Sequence, residues 1–474
     1  MKLLEVTIRN FRSINELTIA INPIEDNSFT YGLIGINEAG KSSILRAMSF
    51  KDNFDSFVPT IKDFNNKEKP IEVSYKFEMD SKEIKLAKEH LKIRITNVDI
   101  SKIDIAEVSF NITVQYTTPN TFSKTVTCHN VWDDDSLKSQ VESQLVDYFT
   151  VEKFKTIFWK AEDKYLISRP IAIAEFAVNP NISIPLRNCF YLTGIEDIKG
   201  SIALLSDSTE KEYLEEKLGK KVTEHIKNVW KGHPIKITFK ISDGVINFHV
   251  KDENAIGRAK TADQRSDGFK QFISFLLTIS AENKNNVLEN TLLLLDEPEI
   301  HLHPKAQEDL LNELVKITKS KKNNVAFFAT HSNYLIDKNY LNRNFKIEKP
   351  EETTILSTFE KKLSTYASVN YDVFDIESTD YHNELYGRAQ ELCDIINGTE
   401  FDKKIKEINS KVPIKKDYID KKGKKFDCTL PTYIRHQIHH PENKNNDRFT
   451  PDELKRSINI LLLMVDKIKT EEKS

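Results

Sequence analysis

A glycine loop set between an apolar run and a helix-like segment constrains this chain more tightly than any other feature. Residues 29–34 are mostly apolar, Gly35-Ile36-Asn37-Glu38-Ala39-Gly40-Lys41-Ser42 follows, and residues 43–48 have helical composition. Strand, loop and helix in that order are what give a G-x-x-x-x-G-K-S segment its meaning. Glycines let the backbone curl so that successive N–H groups converge on phosphate oxygens, and the helix start adds partial positive charge. Gly35, Asn37, Glu38, Ala39, Gly40, Lys41, Ser42 and Ser43 are therefore expected to cradle a nucleotide, with ATP and Mg²⁺ as the cofactors. Lys41 would meet the β- and γ-phosphates, and the Ser42 hydroxyl would face the metal.

Three further segments belong with this loop. Leu292 to Leu295 are four leucines, the pattern of a strand buried on both faces, and Asp296-Glu297 follow at its carboxyl end. Ligands of parallel sheets bind at that end. Asp296 is the expected partner of Mg²⁺, and Glu297 is placed to orient or deprotonate the attacking water. Another apolar strand ends in Ala329-Thr330-His331, and Arg265-Ser266-Asp267-Gly268-Phe269 lies some 30 residues before the acidic pair.

With these four segments in this order, the chain resembles ABC-type ATPase heads of the RecF/SMC/OLD branch. Asp-Glu-Pro-Glu-x-x-Leu-His-Pro, here residues 296–304, is familiar wording of its acid loop. The resemblance implies that Ser266, Asp267 and Gly268 form the signature segment that reaches across a dimer to the partner's γ-phosphate. It also implies that His331 is the switch histidine. Copies of the chain would then pair as a dimer of heads or a higher even assembly. The family's Q-loop glutamine is not evident between residues 50 and 70, where Asp63 is the nearest stand-in. Asp267 stands where the signature has a glycine.

The fold class expected is α/β: an ABC-type head with an inserted helical arm and a small α-helical C-terminal domain. The boundaries read as an N-terminal lobe over 1–130, a helical arm over 131–232, a C-terminal lobe over 233–347 and a helical domain over 348–474. Within the arm, Tyr213, Leu214, Leu218, Val222, Ile226 and Val229 recur at helical spacing. Ser242-Asp243-Gly244 suits the turn of a hairpin spanning 235–250.

The net charge of −3 carries no strongly basic balance, so tight nucleic-acid binding does not follow from composition, although nucleic acid stays open as a partner class. Four cysteines without CxxC spacing suit a reduced, cytoplasmic protein. The opening Met1-Lys2-Leu3-Leu4-Glu5 reaches charged residues at once, so no leader is expected, and no apolar stretch reaches bilayer length, so no membrane is expected.

Near the C-terminus, Thr450-Pro451-Asp452-Glu453 supplies a cap, a first-turn proline and a capping-box glutamate. Leu454, Ile458, Leu461, Leu462, Val465 and Ile468 form the stripe of the helix that follows. Upstream, Arg435 and His440 have the R-x4-H spacing of HEPN-type ribonucleases, in which arginine steadies phosphate and histidine assists a 2′-OH. A polar helix end is the competing structural reading of the pair. No glutamate-bearing strand followed by D-x-D is recognisable after the ATPase pattern, which argues against a built-in TOPRIM nuclease. By resemblance to the ATPase subunits of the Septu and PARIS anti-phage systems, the expectation is an ATPase that scaffolds or controls a separate effector nuclease of HNH or TOPRIM type. A single-chain ATPase–ribonuclease using Arg435 and His440 and a RecF-like DNA-repair ATPase are the two alternatives.

Overall fold

The computed structural model describes residues 1–52, 57–94, 109–128, 138–144, 154–167, 169–229, 235–252, 260–261, 270, 273–275, 277, 288–319, 322–359, 365–408 and 415–471. These residues form two compact units, Met1–Glu360 and Lys361–Ser474.

In the first unit an antiparallel sheet is built from β1 (Lys2–Phe11), β2 (Ile14–Ala20), β4 (Ile71–Glu78), β5 (Ser109–Thr118) and β6 (Thr121–Cys128), in the order β2-β1-β4-β5-β6. Alternation fixes its faces: Ile71, Val73, Tyr75 and Phe77 of β4 are buried, while their neighbours are not. Beside it lies the sheet that carries the site, ordered β15 (Ile355–Thr358), β14 (Asn344–Glu348), β3 (Thr30–Ile34), β13 (Val325–Thr330), β12 (Thr291–Asp296) and β7 (Lys155–Lys160). All its neighbours run parallel except β14–β15. β12 and β13 are buried at every position, as continuous apolar runs in a parallel sheet must be. Helix α1 (Lys41–Met48) leaves the end of β3, and α2 (Ser81–Arg94) follows β4.

Two departures from the sequence pattern stand out here. Residues 155–160 fall inside the arm expected to be helical, yet they form β7, paired to β12. Their apolar run is short and fully buried at Thr156–Trp159, and burial between strands favours the extended form. The boundary expected at 347/348 also gives way, because β14 and β15 extend the same sheet and the unit closes only after residue 358.

A second core lies within the same unit. Helices α3 (Ile173–Val178), α4 (Ile184–Leu192), α5 (Ile198–Ala203) and α6 (Ser208–Val229) pack with β8 (Ile171–Ala172), β9 (Ile235–Ser242), β10 (Val245–Asp252) and β11 (Lys260–Thr261). The stripe Leu214, Leu218, Val222 and Ile226 of α6 is buried against Ile235, Ile237 and Phe239, while Tyr213 is exposed. Thr223 Oγ1 accepts from Ile237 N at 2.9 Å and fastens α6 to β9. A boundary at 232/233 would cut this core, so the helices and the hairpin form one layer. The hairpin turns at Asp243 and Gly244 with φ of 53° and 74°, as a two-residue turn requires. Helix α7 (Pro304–Lys319) then bridges β12 and β13.

The second unit holds α8 (Tyr366–Phe374), α9 (Thr379–Leu392), α10 (Gly398–Ile408), the hairpin β16 (Lys415–Ile419) and β17 (Lys425–Thr429), α11 (Leu430–His439) and α12 (Pro451–Glu471). Among its described residues, β16 and β17 are the only strands. The cap of α12 forms as its sequence predicts, with Glu453 N donating to Thr450 Oγ1 and Thr450 N to Glu453 Oε2 at 3.2 and 3.0 Å. Leu454, Ile458, Leu461, Val465 and Ile468 are buried, and Leu462 is half-buried. No helix among the described residues is long and apolar enough to cross a membrane.

Candidate nucleotide site

The loop between β3 and α1 is shaped by what presses on it. A Cβ on Gly35 would lie 2.2 Å from the Ile347 carbonyl oxygen, and one on Gly40 would lie 2.2 Å from Thr354 Oγ1. Gly40 also has φ of 108°, which a side chain would strain. Thr354, in the loop between β14 and β15, donates from Oγ1 to Ala39 O at 3.0 Å and from N to Ser13 O at 2.8 Å. The phosphate loop is thus braced from outside.

Inside the loop, Lys41 is buried, and its Nζ donates to Gly35 O and Ile36 O, both at 2.9 Å. Burial pulls its pKa down to about 8, against the opposing charges of Glu297, Asp296 and Glu299. Ser42 Oγ donates to Asp296 Oδ1 at 2.8 Å, joining the start of α1 to the end of β12. Asp296 is only 1% exposed, and burial raises its pKa, with Ser42 and Lys160 working the other way. The hydroxyl and the carboxylate form an oxygen-only donor set, which fits Mg²⁺. Bound there with a nucleotide, the metal would neutralise charge on the phosphate oxygens.

Glu297 follows with φ of 54°, a left-handed conformation that costs a non-glycine residue about 1–2 kcal/mol. Its N–H donates to Ala329 O at 3.0 Å. His331 Nε2 lies 3.3 Å from Glu297 Oε1, and His331 Nδ1 lies 3.5 Å from Lys41 Nζ. Burial and then the charge of Lys41 push the His331 pKa down, so the ring is neutral at neutral pH. A proton on Nε2 satisfies both contacts: Nε2 donates to Glu297 while Nδ1 accepts from Lys41. Glu297 and His331 are each about a third exposed at the mouth of a cleft of about 800 Å³.

Glu299 acts one layer behind. Its Oε1 accepts from Thr330 Oγ1 at 2.5 Å and from His331 N at 3.0 Å, so the acid loop holds the end of β13. Its Oε2 is buried without a hydrogen-bond partner, and burial raises the pKa of the carboxyl.

Asn37, Glu38, Gly40, Lys41, Ser42 and Ser43 all line the cleft, while Ala39 is buried beneath it. Asp296, Glu297 and His331 come to the same place. Ser266, Asp267 and Gly268 lie outside the described residues. Asp63 does not stand in for the missing glutamine: its carboxylate takes the Arg12 guanidinium at 2.8 Å and Thr60 N and Oγ1 at 2.8 and 2.9 Å. These bonds cap a short 3₁₀ turn and leave Asp63 committed to the framework.

Sequence reasoning passed over Arg12, which sits in the two-residue turn between β1 and β2. It reaches Ser43 Oγ from Nη1 at 3.4 Å and lines the cleft with Lys62 and Lys349. Their common signal is charge at turns, which is visible only once the fold gathers it.

Arg435 lies within α11 of the second unit, and His440 is the non-helical residue that caps its end. Arg435 donates to Asn383 Oδ1 at 3.1 Å and lies 4.7 Å from the Tyr386 ring centre. His440, at the C-cap, faces His436 with ring centres 6.5 Å apart. Among the described residues, no hydrogen bond, ion pair or ring contact joins the two side chains.

A glycine loop at a helix start, a lysine folded over it, a serine joined to a buried aspartate and a glutamate–histidine pair at the open end together have the layout of a P-loop nucleotide site. The family model described as AAA ATPase domain matches residues 1–336, and the chain belongs to that family. The uncharacterized protein MJECL43 of Methanocaldococcus jannaschii is 28% identical over 123 residues, 25% of this chain and 31% of that protein, so the chain spans about a third of that relative's length. Among solved structures, an SMC head bound to the C-winged helix domain of ScpA covers 76% of this chain and 98% of its own, at 12% identity and a TM-score of 0.44. The SMC head domain from Thermotoga maritima covers 76% and 100%, at 10% identity and a TM-score of 0.37.

Proposed function

We propose that this chain is an Mg²⁺-dependent ATPase of ABC type that works as a pair of heads and governs a separate effector nuclease in anti-phage defence. One observation carries the ATPase reading: Ser42 meets Asp296 at 2.8 Å, with Lys41, Glu297 and His331 converging on the same cleft. Lys41 and Arg12 receive phosphate charge, Ser42 and Asp296 take the metal, and Glu297 orients water while the neutral His331 holds it in register. The exposure of Glu297 and His331 supports completion by a second copy, whose Ser266 segment would cover the open end. The defence role rests on the family resemblance, and the separate effector on the lack of a recognisable TOPRIM pattern in the sequence.

The test uses Glu297→Gln. With ATP and Mg²⁺ it should accumulate a species of twice the mass in light scattering, while hydrolysis stays slow. A mass unchanged by nucleotide would refute the paired head. Co-purification with the products of neighbouring genes should bring down a nuclease, and its absence would refute the effector arrangement.

A further inference from the structure

β7 brings a lysine to the metal side of the cleft. Its parallel register with β12 sets Lys160 beside Asp296. Lys160 Nζ stands 3.8 Å from Asp296 Oδ2 and 2.8 Å from Glu162 Oε1. Ser42 holds the other oxygen, Oδ1. The carboxylate that fits the metal therefore has a resident cation on its far side.

A carboxylate as buried as Asp296 is costly without a counter-charge, and Lys160 supplies one. The same positive charge repels any divalent cation that approaches Asp296 alone. Glu162, in the turn after β7 and half exposed, gives the lysine a second partner when Asp296 is occupied.

We infer that Lys160 is the resting counter-ion of the metal site: it neutralises Asp296 when no nucleotide is bound and keeps free divalent cations from collecting there. Metal then enters with the phosphates, whose negative charge outweighs the lysine. Lys160 is a positioning residue, and its role rests on reading the cleft as an Mg²⁺–ATP site.

The experiment titrates the full-length, nucleotide-free protein with Mn²⁺ and follows the free-ion signal by electron paramagnetic resonance. Lys160→Met should take up Mn²⁺ at least about tenfold more tightly than the wild type, since one unit charge close to the site is removed. Lys160→Arg should behave as the wild type, and Asp296→Asn added to Lys160→Met should abolish the gain. Lys160→Gln serves in place of Lys160→Met if the latter does not fold. Binding of a fluorescent ATP analogue with Mg²⁺ is measured in parallel. Equal Mn²⁺ affinity in the wild type and the uncharged variant, with nucleotide bound normally by both, overturns this inference alone. A wild type that binds no nucleotide overturns the reading of the cleft and this inference with it.

Discussion

The nucleotide cleft and the C-terminal unit both bury polar side chains, and they finish them in opposite ways. In the cleft, Lys41 leans on two backbone carbonyls, Glu299 keeps a buried oxygen without a partner, and Glu297 and His331 face open space. In the C-terminal unit, Asp402 accepts from Thr429 N and Oγ1 at 2.8 and 2.7 Å and pairs with Lys406 at 2.7 Å. Arg435 is taken up by Asn383 and the Tyr386 ring, and His382 meets Ser457 at 2.9 Å, leaving only its Nδ1 unmatched. Charges that converge on a cavity are held ready for a ligand, whereas charges that close on one another hold a framework.

Substitutions break or sharpen that contrast. Glu297→Gln should cut ATP hydrolysis by about 10²–10⁴ while nucleotide still binds, as loss of a positioned base does. Lys41→Ala should weaken ATP by about a hundredfold in a fluorescence titration, the loss of roughly 3 kcal/mol expected for a charge-assisted phosphate contact. Glu299→Ala should lower kcat about tenfold with little change in KM, because it frees the backbone at His331 and removes no contact to substrate.

The pH response has a definite sign. Phosphate binding needs Lys41 protonated, and its pKa is held down at about 8. ATP affinity should therefore be level below pH 8 and fall as pH rises beyond it, by up to about tenfold per unit, with a proton taken up on binding. Affinity unchanged between pH 7 and 9.5 would place Lys41 elsewhere. In the C-terminal unit the effects should be on stability. Arg435→Met should cost about 1–3 kcal/mol in denaturant unfolding by stranding Asn383, with hydrolysis intact. His440→Ala, half exposed, should change stability by no more than about 0.5 kcal/mol.

The part of the site that is legible in the sequence is the part whose chemistry is local. Residues 35–43, the acids after four leucines, and a histidine ending the next apolar strand are each contiguous, and the structure brings them to one cleft. The α12 cap and stripe were legible for the same reason. Strand β7 was not: an apolar core of Ile157, Phe158 and Trp159 is too short to show whether its period is two or 3.6. Lys160 stayed hidden with it, since its meaning comes from the register against β12. Hairpin β16–β17 was obscured by lysines, several of which lie in ion pairs such as Lys425 with Asp417 and Lys421 with Glu442. Asp63 misled because a cap and a metal ligand look alike until the bonds to Arg12 and Thr60 are seen.

Thr354 has a bearing on how the protein comes into being on the ribosome. It touches both the turn at Ser13 and the loop at Ala39, and it fills the space a side chain on Gly40 would take. The phosphate loop is synthesised well before the brace that sets its curve, which arrives more than three hundred positions later. A nascent chain stopped just after His331 would own every reactive group of the pocket and still lack the wedge behind it. Competence for nucleotide thus belongs to the finished unit, and an abandoned fragment would stay inert.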